Sequence, residues 1–330
     1  MSVASISSPV RVNGKIVDRT PLPVAYGWYF VSYSEDLKPG DVQNVQYFDQ
    51  EWVLFRTAGG EPGMVEPYCP HLGAHLGHGG FVEGENLLCP FHNWGYDPKG
   101  WCKHIPYAKI MPPITKREPI LKALPMCEKH GIVWAWYHPH NTAPEWEIPD
   151  IPNLHDPDYI TPARGAWPVN TFIQEIGENG VDFAHLKYLH HTPIMPTGSS
   201  HADGKRWYTD IMNGYIKAEH FGPGLQILFF TKGNVVTTMV SYPSPITRGK
   251  TVIRMSFTHP KYPEGTPEAT VAAAMLQEQV GQGEEEVAGF ESVDLIVWNN
   301  KVYRENPLLC DGDGAIFAWR KWFSQFYIEA

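Results

Sequence analysis

Short apolar runs separated by turn signals characterise the first part of the chain. The runs fall at residues 28–31, 45–55 and 131–137, and Lys38-Pro39-Gly40 is one of the turns between them. Runs of this length, bounded by Gly and Pro, are typical of antiparallel β-strands. A proline-rich stretch at 144–157 then interrupts the pattern and is predicted to be a linker. The pattern therefore predicts an N-terminal all-β domain.

The second part of the chain combines helical and strand patterns. Helices are predicted at about 170–191 and 284–302, and strands at 225–231, 235–242 and 252–258. In the last strand Ile253, Met255 and Phe257 alternate with polar residues, which gives that strand one face for a core or a pocket. Helices at both ends of an antiparallel sheet predict an α+β domain whose sheet curves around a cavity.

These patterns divide the chain into three parts. A flexible N-terminal arm is predicted over residues 1–22, the β-domain over 23–143, and the α+β domain over 144–330. A length of 330 residues suits two domains, because a single hydrophobic core rarely grows beyond ~250–300 residues.

Composition excludes several classes of partner. The net charge of −10 argues against nucleic acid and against an anionic membrane surface. No run reaches the ~18 apolar residues of a membrane helix, and the first residues lack a signal-peptide pattern. Outside the motif described next, the cysteines are Cys102, Cys127 and Cys310, an odd number that favours reduced thiols and a cytoplasmic location. No flavin or nicotinamide fingerprint is present, so electrons for any redox reaction must come from another protein.

Two short Cys-His motifs stand out in the β-domain. Cys69-Pro70-His71 and Cys89-Pro90-Phe91-His92 are separated by seventeen residues, and each offers one thiolate and one imidazole. A tetrahedral zinc site uses the same atoms, but zinc sites usually pair like ligands within one motif. One Cys and one His per motif better suits a two-iron cluster, with the thiolates on one iron and the imidazoles on the other, which is Rieske ligation.

A second set of candidate ligands lies in the predicted helix over 170–191. Asp182 and His185 are three residues apart and share a helix face. His185 and His190 are five apart, and on an ideal helix they would diverge by about 140°. The helix must therefore end, tighten or carry a π-type bulge between them for both to bind one metal. Spacing alone does not choose between His190 and His191.

The predicted last helix supplies a carboxylate. Phe290, Val293, Val297 and Trp298 form an apolar stripe, and Asp294 lies on it. A carboxylate on a buried face is costly unless it is paired with Arg or His, or binds a metal. Two histidines and one carboxylate make the facial triad of non-haem Fe(II) oxygenases.

At this point the sequence resembles the Rieske oxygenases. Asn179, Asp182, His185 and His190 match the motif Asn-x-x-Asp-x-x-His-x4-His position by position, and Asp294 with Trp298 matches the pattern Asp-x-x-x-Trp. The tail at 298–301, 306–314 and 320–327 looks like that of the oxygenase component of 3-ketosteroid 9α-hydroxylase and of the cholesterol 7-desaturases. The resemblance extends over most of the chain, from about Gly27 to Tyr327.

The resemblance implies a fold, two cofactors and a set of site residues. The expected fold is an all-β Rieske domain followed by a START/Bet v1-like helix-grip domain. The expected cofactors are a [2Fe-2S] Rieske cluster and a mononuclear Fe(II). The ligands carried over are Cys69, His71, Cys89 and His92 for the cluster, and His185, His190 and Asp294 for the single iron. Asp182 would bridge electron transfer to the cluster of a neighbouring subunit, and Asn179 is included with it among the catalytic residues.

The implied function is that of a terminal oxygenase, a Rieske-type non-haem iron monooxygenase. A flavin and iron–sulfur reductase that uses NAD(P)H would supply electrons, the second substrate would be O2, and the chain would form a homotrimer. The expected organic substrate is large and hydrophobic, such as a 3-ketosteroid. Five side chains are candidates for the cavity wall: Phe229, Phe230, Met239, Met255 and Phe257.

Two alternatives remain open from the sequence. The first is an oxygenase for an aromatic acid, or an O- or N-demethylase; an acid would need a buried cation, for which Arg248 and Arg254 are candidates. The second is a Rieske electron carrier without catalysis. Iron content separates the two classes, with about three irons per chain expected for an oxygenase and about two for a carrier.

Overall fold

The computed structural model describes residues 10–12, 14–280 and 292–328, which fall into two compact units. One unit is Gly27–Ile148, and the other combines residues up to Tyr26 with those from Pro149 onwards. The domain boundaries predicted at 22/23 and 143/144 stay predictions.

The bounds of the elements are as follows. The strands are β1 (Val10–Val12), β2 (Lys15–Val17), β3 (Gly27–Tyr33), β4 (Val42–Tyr47), β5 (Gln50–Arg56), β6 (Pro62–Val65), β7 (Phe81–Glu83), β8 (Asn86–Leu88), β9 (Gly95–Tyr96), β10 (Cys102–His104), β11 (Met126–Lys129), β12 (Ile132–Tyr137), β13 (Ala163–Val169), β14 (Gly198–Asp203), β15 (Arg206–Ile211), β16 (Ile216–Phe221), β17 (Gln226–Lys232), β18 (Val235–Thr247) and β19 (Lys250–Thr258). The α-helices are α1 (Ile173–Glu178), α2 (Phe183–Tyr188), α3 (Pro267–Val280), α4 (Ser292–Asn300) and α5 (Ile316–Phe323). Short 3-10 helices are Ser34–Asp36, Pro113–Lys116, Pro152–Leu154 and Ser324–Phe326.

The Gly27–Ile148 unit is built from antiparallel strands. Its described strands form three sheets, with the orders β11-β12-β3, β4-β5-β6 and β10-β9-β8-β7. Trp52, Trp134 and Trp136 are fully buried in it. Arg56 is also buried and donates two hydrogen bonds to the Glu128 carboxylate, at 2.8 and 3.1 Å, so its charge is paired. The predicted all-β N-terminal domain is confirmed.

The second unit contains one large antiparallel sheet in the described part of the chain. Its seven strands run in the order β13-β19-β18-β17-β16-β15-β14. Helix α3 packs on β18, and its buried Ala272 and Met275 join a core that includes Met239, Met255 and Phe257. Strands that alternate apolar and polar residues give the sheet one apolar face, and the helices bury that face by packing on it. The predicted α+β architecture is confirmed.

The prediction of one continuous helix over 170–191 is wrong. Strand β13 extends to Val169, and the helical part is divided into α1 and α2, with Asn179 to Asp182 between them. Asp182 is the N-cap of α2, and its carboxylate accepts the backbone N–H of His185 at 3.4 Å. An aspartate cap begins a new helix at this point, which the apolar spacing alone does not show.

The other helices differ from the predictions as well. Of the helix predicted over 284–302, the structure describes α4 at Ser292–Asn300, while Phe290 and the other residues of 281–291 lie outside the described residues. Helix α3 is not predicted from the sequence. No helix in the described ranges is long and apolar enough to cross a lipid bilayer.

The described part of the predicted arm is not an isolated tail. Strands β1 and β2 pair as a hairpin. The Arg19 guanidinium then donates hydrogen bonds to the carbonyl oxygens of Trp298, Asn299 and Lys301 at the end of α4. A cation at a helix C-terminus satisfies carbonyls that lack partners within the helix. This segment therefore fixes the end of the helix that carries Asp294.

Candidate metal centres

Each cysteine of the two Cys-His motifs opens a turn with the same hydrogen-bond pattern. The Cys69 carbonyl accepts the N–H of Gly73 at 2.9 Å, and the Cys69 N–H donates to the Ala74 carbonyl at 2.9 Å. Cys89 bonds in the same way to the residues four and five positions further on, at 3.0 and 2.9 Å. The residue four positions after each cysteine has a positive φ, 75° at Gly73 and 52° at Asn93, which Gly and Asn adopt at low cost. The two loops therefore present their cysteines in equivalent ways.

The two imidazoles of the motifs face each other. The ring centroids of His71 and His92 are 4.8 Å apart, and His71 stacks on Trp94 at 4.6 Å. Trp94 in turn donates its indole N–H to the Tyr107 hydroxyl at 2.9 Å. The buried Nδ1 of His92 makes no hydrogen bond with any described residue. A buried ring nitrogen without a hydrogen bond is expected where it binds a metal instead.

The two thiols are also adjacent and buried. Burial raises the pKa of the Cys69 thiol, and the neighbouring Cys89 adds to that rise. Two adjacent buried thiols resist ionisation unless a cation lies between them, and a bound metal supplies that charge. Two thiols and two imidazoles thus lie together in one unit, and this donor set fits a Rieske [2Fe-2S] cluster.

A hydrogen bond from Tyr96 to Cys69 leads to the first prediction. The Tyr96 hydroxyl lies 3.0 Å from Cys69 Sγ, and burial raises the pKa of Tyr96, so the phenol stays protonated. Its O–H therefore donates to the thiolate in the loaded protein. Hydrogen bonds to cluster sulfurs stabilise the reduced form, so Tyr96→Phe is expected to lower the reduction potential by about 20–60 mV, the equivalent of one neutral hydrogen bond. Redox titration followed by electron paramagnetic resonance measures the shift; a potential equal to that of the wild type would contradict this role.

The second unit brings together His185, His190 and Asp294. One ligand atom of each residue lies within 4.8 Å of the others. His190 Nε2 and Asp294 Oδ2 are 3.0 Å apart, and both side chains are only 3% exposed. Two ligands at right angles and about 2.1 Å from one metal lie about 3 Å apart, so the spacing fits a shared ion. His191 points elsewhere: it is exposed and has a positive φ of 56°.

The local fold explains how residues five apart reach one site. Helix α2 ends at Tyr188, and the N–H groups of both Leu189 and His190 bond to the His185 carbonyl, at 2.7 and 3.3 Å. The second of these bonds spans five residues, as in a π-turn, and turns His190 towards His185. The two ring centroids are 5.2 Å apart.

His185 is held in one tautomer. Its Nδ1 donates to the main-chain carbonyl of Asp182, so Nε2 carries a lone pair. A ligating histidine usually donates its other ring N–H in this way, which fixes the orientation of the ring. Asp182 therefore supports His185 through its backbone as well as capping α2.

Asp294 lies in the first turn of α4 and is also oriented by a neighbour. The Asn179 side-chain amide donates to Asp294 Oδ1 at 2.8 Å, while Oδ2 faces His190. The amide satisfies one oxygen of a buried carboxylate and leaves the other for a metal. Two imidazoles and one carboxylate fit a mononuclear Fe(II) site with open positions.

A mostly apolar cavity, part of it open to solvent, begins at these ligands. His185 and Asp294 lie at its wall, and Leu228, Phe230 and Met239 are among its apolar lining. Among the lining residues in the described part of the chain, none is Lys or Arg.

The predicted wall residues divide into two groups. Phe230, Met239 and Met255 line the cavity, whereas Phe229 and Phe257 do not. Phe229 points to the other face of β17, because side chains alternate along a strand. Phe257 is 1% exposed and belongs to the core.

The two candidate cations are also outside the lining. Arg254 alternates with Ile253 and Met255 along β19, and Arg248 lies 3.7 Å from the Asp18 carboxylate. Neither arginine is therefore placed to pair with an anion in the cavity.

Two ion pairs missed by the sequence analysis hold helix α1, which precedes Asn179. The Arg320 guanidinium donates two hydrogen bonds to the Glu178 carboxylate, at 2.6 and 2.8 Å. Lys301 Nζ lies 3.2 Å from Glu175 Oε1, and burial raises the pKa of Glu175. Two acidic residues three apart in a short, otherwise uncharged helix were the available signal, since such groups require partners when they are buried.

Comparison with known families settles the relationship. A Rieske [2Fe-2S] domain model matches residues 27–116, and a 3-ketosteroid 9alpha-hydroxylase C-terminal domain model matches residues 135–327, more than half of the chain. The chain belongs to the Rieske oxygenases. The resemblance predicted from the motifs is confirmed, and the cofactors of this Rieske oxygenase are a [2Fe-2S] cluster and a mononuclear iron.

Individual relatives agree with this family. This Rieske oxygenase is 30% identical to a cholesterol 7-desaturase of Xenopus laevis, over 93% of this chain and 73% of the relative. It is 27% identical to the oxygenase component of a 3-ketosteroid-9-alpha-monooxygenase of Rhodococcus rhodochrous, over 94% of this chain and 83% of the relative. The crystal structure of dicamba monooxygenase bound to dicamba has the same fold, with a TM-score of 0.68 at 17% identity, over 92% of this chain and 98% of that one.

Proposed function

We propose that this Rieske oxygenase is the terminal component of a multicomponent monooxygenase and hydroxylates a large, neutral, hydrophobic substrate such as a 3-ketosteroid. The observation that carries the proposal is the position of the ligand atoms of His185 and Asp294 at the wall of an apolar cavity. The names of its relatives, a cholesterol desaturase and a 3-ketosteroid monooxygenase, support a steroid.

The proposed ligands follow from the donor sets. Cys69 and Cys89 would hold one iron of the cluster, and His71 and His92 the other. His185 Nε2, His190 Nε2 and Asp294 Oδ2 would hold the single iron. When bound, the cluster supplies one-electron transfer and the single iron supplies activation of dioxygen.

The chain's own side chains position the reactants. Asn179 fixes Asp294, and the carbonyl of Asp182 fixes the tautomer of His185, so the ligand atoms are oriented before the metal arrives. The apolar walls at Leu228 and Phe230 exclude water and bind the substrate mainly by burying its apolar surface.

The cavity lining favours a neutral substrate over an aromatic acid. Binding a carboxylate in a water-excluding site requires a cation or several hydrogen-bond donors. The described lining contains no Lys or Arg, and Arg248 and Arg254 lie outside it. An electron carrier without catalysis would not need the triad or the cavity of the second unit.

Three further parts of the proposal concern assembly and location. We include a homotrimer, a reductase that carries flavin and an iron–sulfur cluster, and a cytoplasmic location. The trimer and the reductase follow from the likeness to Rieske oxygenases, and a reducing compartment agrees with the three thiols outside the Cys-His motifs, which form no disulfide. Light scattering of the purified protein tests the trimer.

Asp182 is proposed to carry electrons between subunits, which gives the second prediction. Asp182→Asn removes the charge and keeps both the oxygen that caps α2 and the backbone carbonyl that binds His185. Iron content and the visible spectrum should be unchanged, while turnover should fall at least about tenfold, as for other groups that orient metal ligands. Metal analysis and stopped-flow oxidation of the reduced cluster measure the two effects. Normal turnover would exclude the bridging role.

A direct assay tests the proposed activity. Purified oxygenase, a reductase and NADH are combined with steroids, aromatic acids and methyl ethers in turn, and O2 consumption is measured together with the products. Substrate-dependent O2 uptake and a hydroxylated steroid are expected. Hydroxylation or demethylation of only the aromatic compounds would overturn the proposed substrate class.

A further inference from the structure

His220 is a buried histidine that the proposed metal sites do not use. It lies on β16, is 5% exposed, and its Nε2 makes no hydrogen bond with any described residue. Burial lowers the pKa of His220 to about 3, so the imidazole is neutral at ordinary pH. A buried ring nitrogen without a hydrogen bond destabilises the fold, which indicates that a hydrogen-bonding group contacts it in the working protein.

The strand register places His220 on the face of the sheet that borders the cavity. Ile216, Ala218 and His220 alternate along β16, and the first two line the cavity. Directly opposite His220 on β17 is Gln226, which also lines the cavity. The two polar side chains therefore lie side by side on the cavity face of the sheet.

Gly180 leaves a space next to this pair. A Cβ added at Gly180 would lie 3.6 Å from His220 Nε2, 3.8 Å from Gln226 Nε2 and 3.3 Å from the Gly177 carbonyl oxygen. Gly180 also lines the cavity, and its φ is not in the positive range that would require glycine. The missing side chain thus leaves a niche for one atom that is bordered by three polar atoms.

We propose that this niche binds one neutral oxygen atom of the substrate, a keto or hydroxyl oxygen, and that His220 and Gln226 determine specificity for it. The inference rests on the proposed function, because it names the polar group that a steroid in the cavity would present. A neutral imidazole and an amide suit an uncharged oxygen and not a carboxylate. An ordered water presents the same kind of oxygen atom to the niche, and the experiment below distinguishes a substrate oxygen from a water.

The test measures binding without turnover. Calorimetry on the iron-loaded oxygenase, without reductase, compares a 3,17-diketosteroid with the two analogues in which one carbonyl is replaced by a methylene. In the wild type, removal of one of the two oxygens should weaken binding about three- to tenfold, the worth of one hydrogen bond. Equal binding of all three compounds would overturn the proposal and leave the niche to water.

Substitutions at and away from the niche test whether the lost affinity arises at this site. Gly180→Ala fills the niche with a methyl group whose nearest neighbour is the Gly177 carbonyl oxygen at 3.3 Å, a tight contact that requires a shift of a few tenths of an ångström. The circular dichroism spectrum and melting temperature of this variant show whether the fold accommodates it. The loss of affinity caused by the missing carbonyl should shrink to within about twofold in this variant, and also in Gln226→Leu, which removes one hydrogen-bonding partner. Ser256→Ala is the control, because Ser256 is a buried polar residue of the same sheet that does not line the cavity. The loss should persist there; a loss that persists in Gly180→Ala or disappears in Ser256→Ala would overturn the proposal.

The outcomes distinguish this inference from the proposed reaction. Steroid that binds with the expected dependence on one carbonyl but is not hydroxylated contradicts the reaction and leaves the niche in place. Steroid that is hydroxylated without such dependence contradicts the niche alone. Failure of any steroid to bind overturns both.

Discussion

Replacing His190 with alanine is expected to abolish turnover and to lower the iron content from about three to about two per chain, while the same change at the adjacent His191 leaves both unchanged. His190 Nε2 faces Asp294 Oδ2 at 3.0 Å in a site that is 3% exposed, whereas His191 is exposed. Loss of one of three ligands should reduce turnover by at least about a hundredfold, since even supporting residues contribute ten- to a hundredfold.

Metal analysis and the spectrum of the cluster measure this prediction. The visible absorption of the cluster should be the same in both variants, which shows that the Gly27–Ile148 unit of the His190 variant is folded. His190→Gln serves as a second variant, because it keeps a polar group near the buried Asp294 carboxylate. A His191→Ala protein that loses iron, or a His190→Ala protein that keeps it, would exclude the proposed triad.

Replacing Cys89 with serine is expected to remove the [2Fe-2S] cluster, while Cys102→Ser retains it. Both cysteines are buried in the core of the same unit, at 2% and 3% exposure, so the pair is matched for environment. Cys89 adjoins Cys69 and opens one of the two equivalent turns. Cys102 lies outside both turns, and its Sγ is directed to the His104 carbonyl oxygen at 3.8 Å, so it is not expected to bind the cluster.

The readouts for this prediction are the visible spectrum and the iron content. Cys89→Ser should lose the cluster absorption and retain about one iron per chain, held by the triad of the second unit. Cys102→Ser should keep about three. Loss of the absorption in both variants, or in neither, would contradict the assignment of the cluster ligands.

The sequence was most informative where the chemistry is local. The cluster motif lies between Cys69 and His92, and its two turns carry Gly73 and Asn93 where positive φ values are needed. The break between His185 and His190 followed from helix geometry, because two residues five positions apart on an ideal helix point about 140° away from each other. In the structure α2 does end between them, at Tyr188.

The sequence was less informative where pairing between distant segments decides the environment. The register of β16 with β17 places Gln226 and Leu228 on the cavity face and Phe229 on the other face. The apolar character of a residue does not determine which of the two faces it occupies. The edge strand β13 pairs with β19, and Ala163 lies opposite Phe257, a contact between residues far apart in the chain. The niche at Gly180 depends on the same register, so no local signal indicates it.

The separation of the ligands along the chain has a consequence for biosynthesis. The four proposed cluster ligands emerge from the ribosome almost together, whereas Asp294 follows His92 by about 200 residues. At ~5–20 residues per second, that interval is roughly 10–40 s. The proposed ligands of the lone iron therefore become complete in a nascent chain only some tens of seconds after those of the cluster.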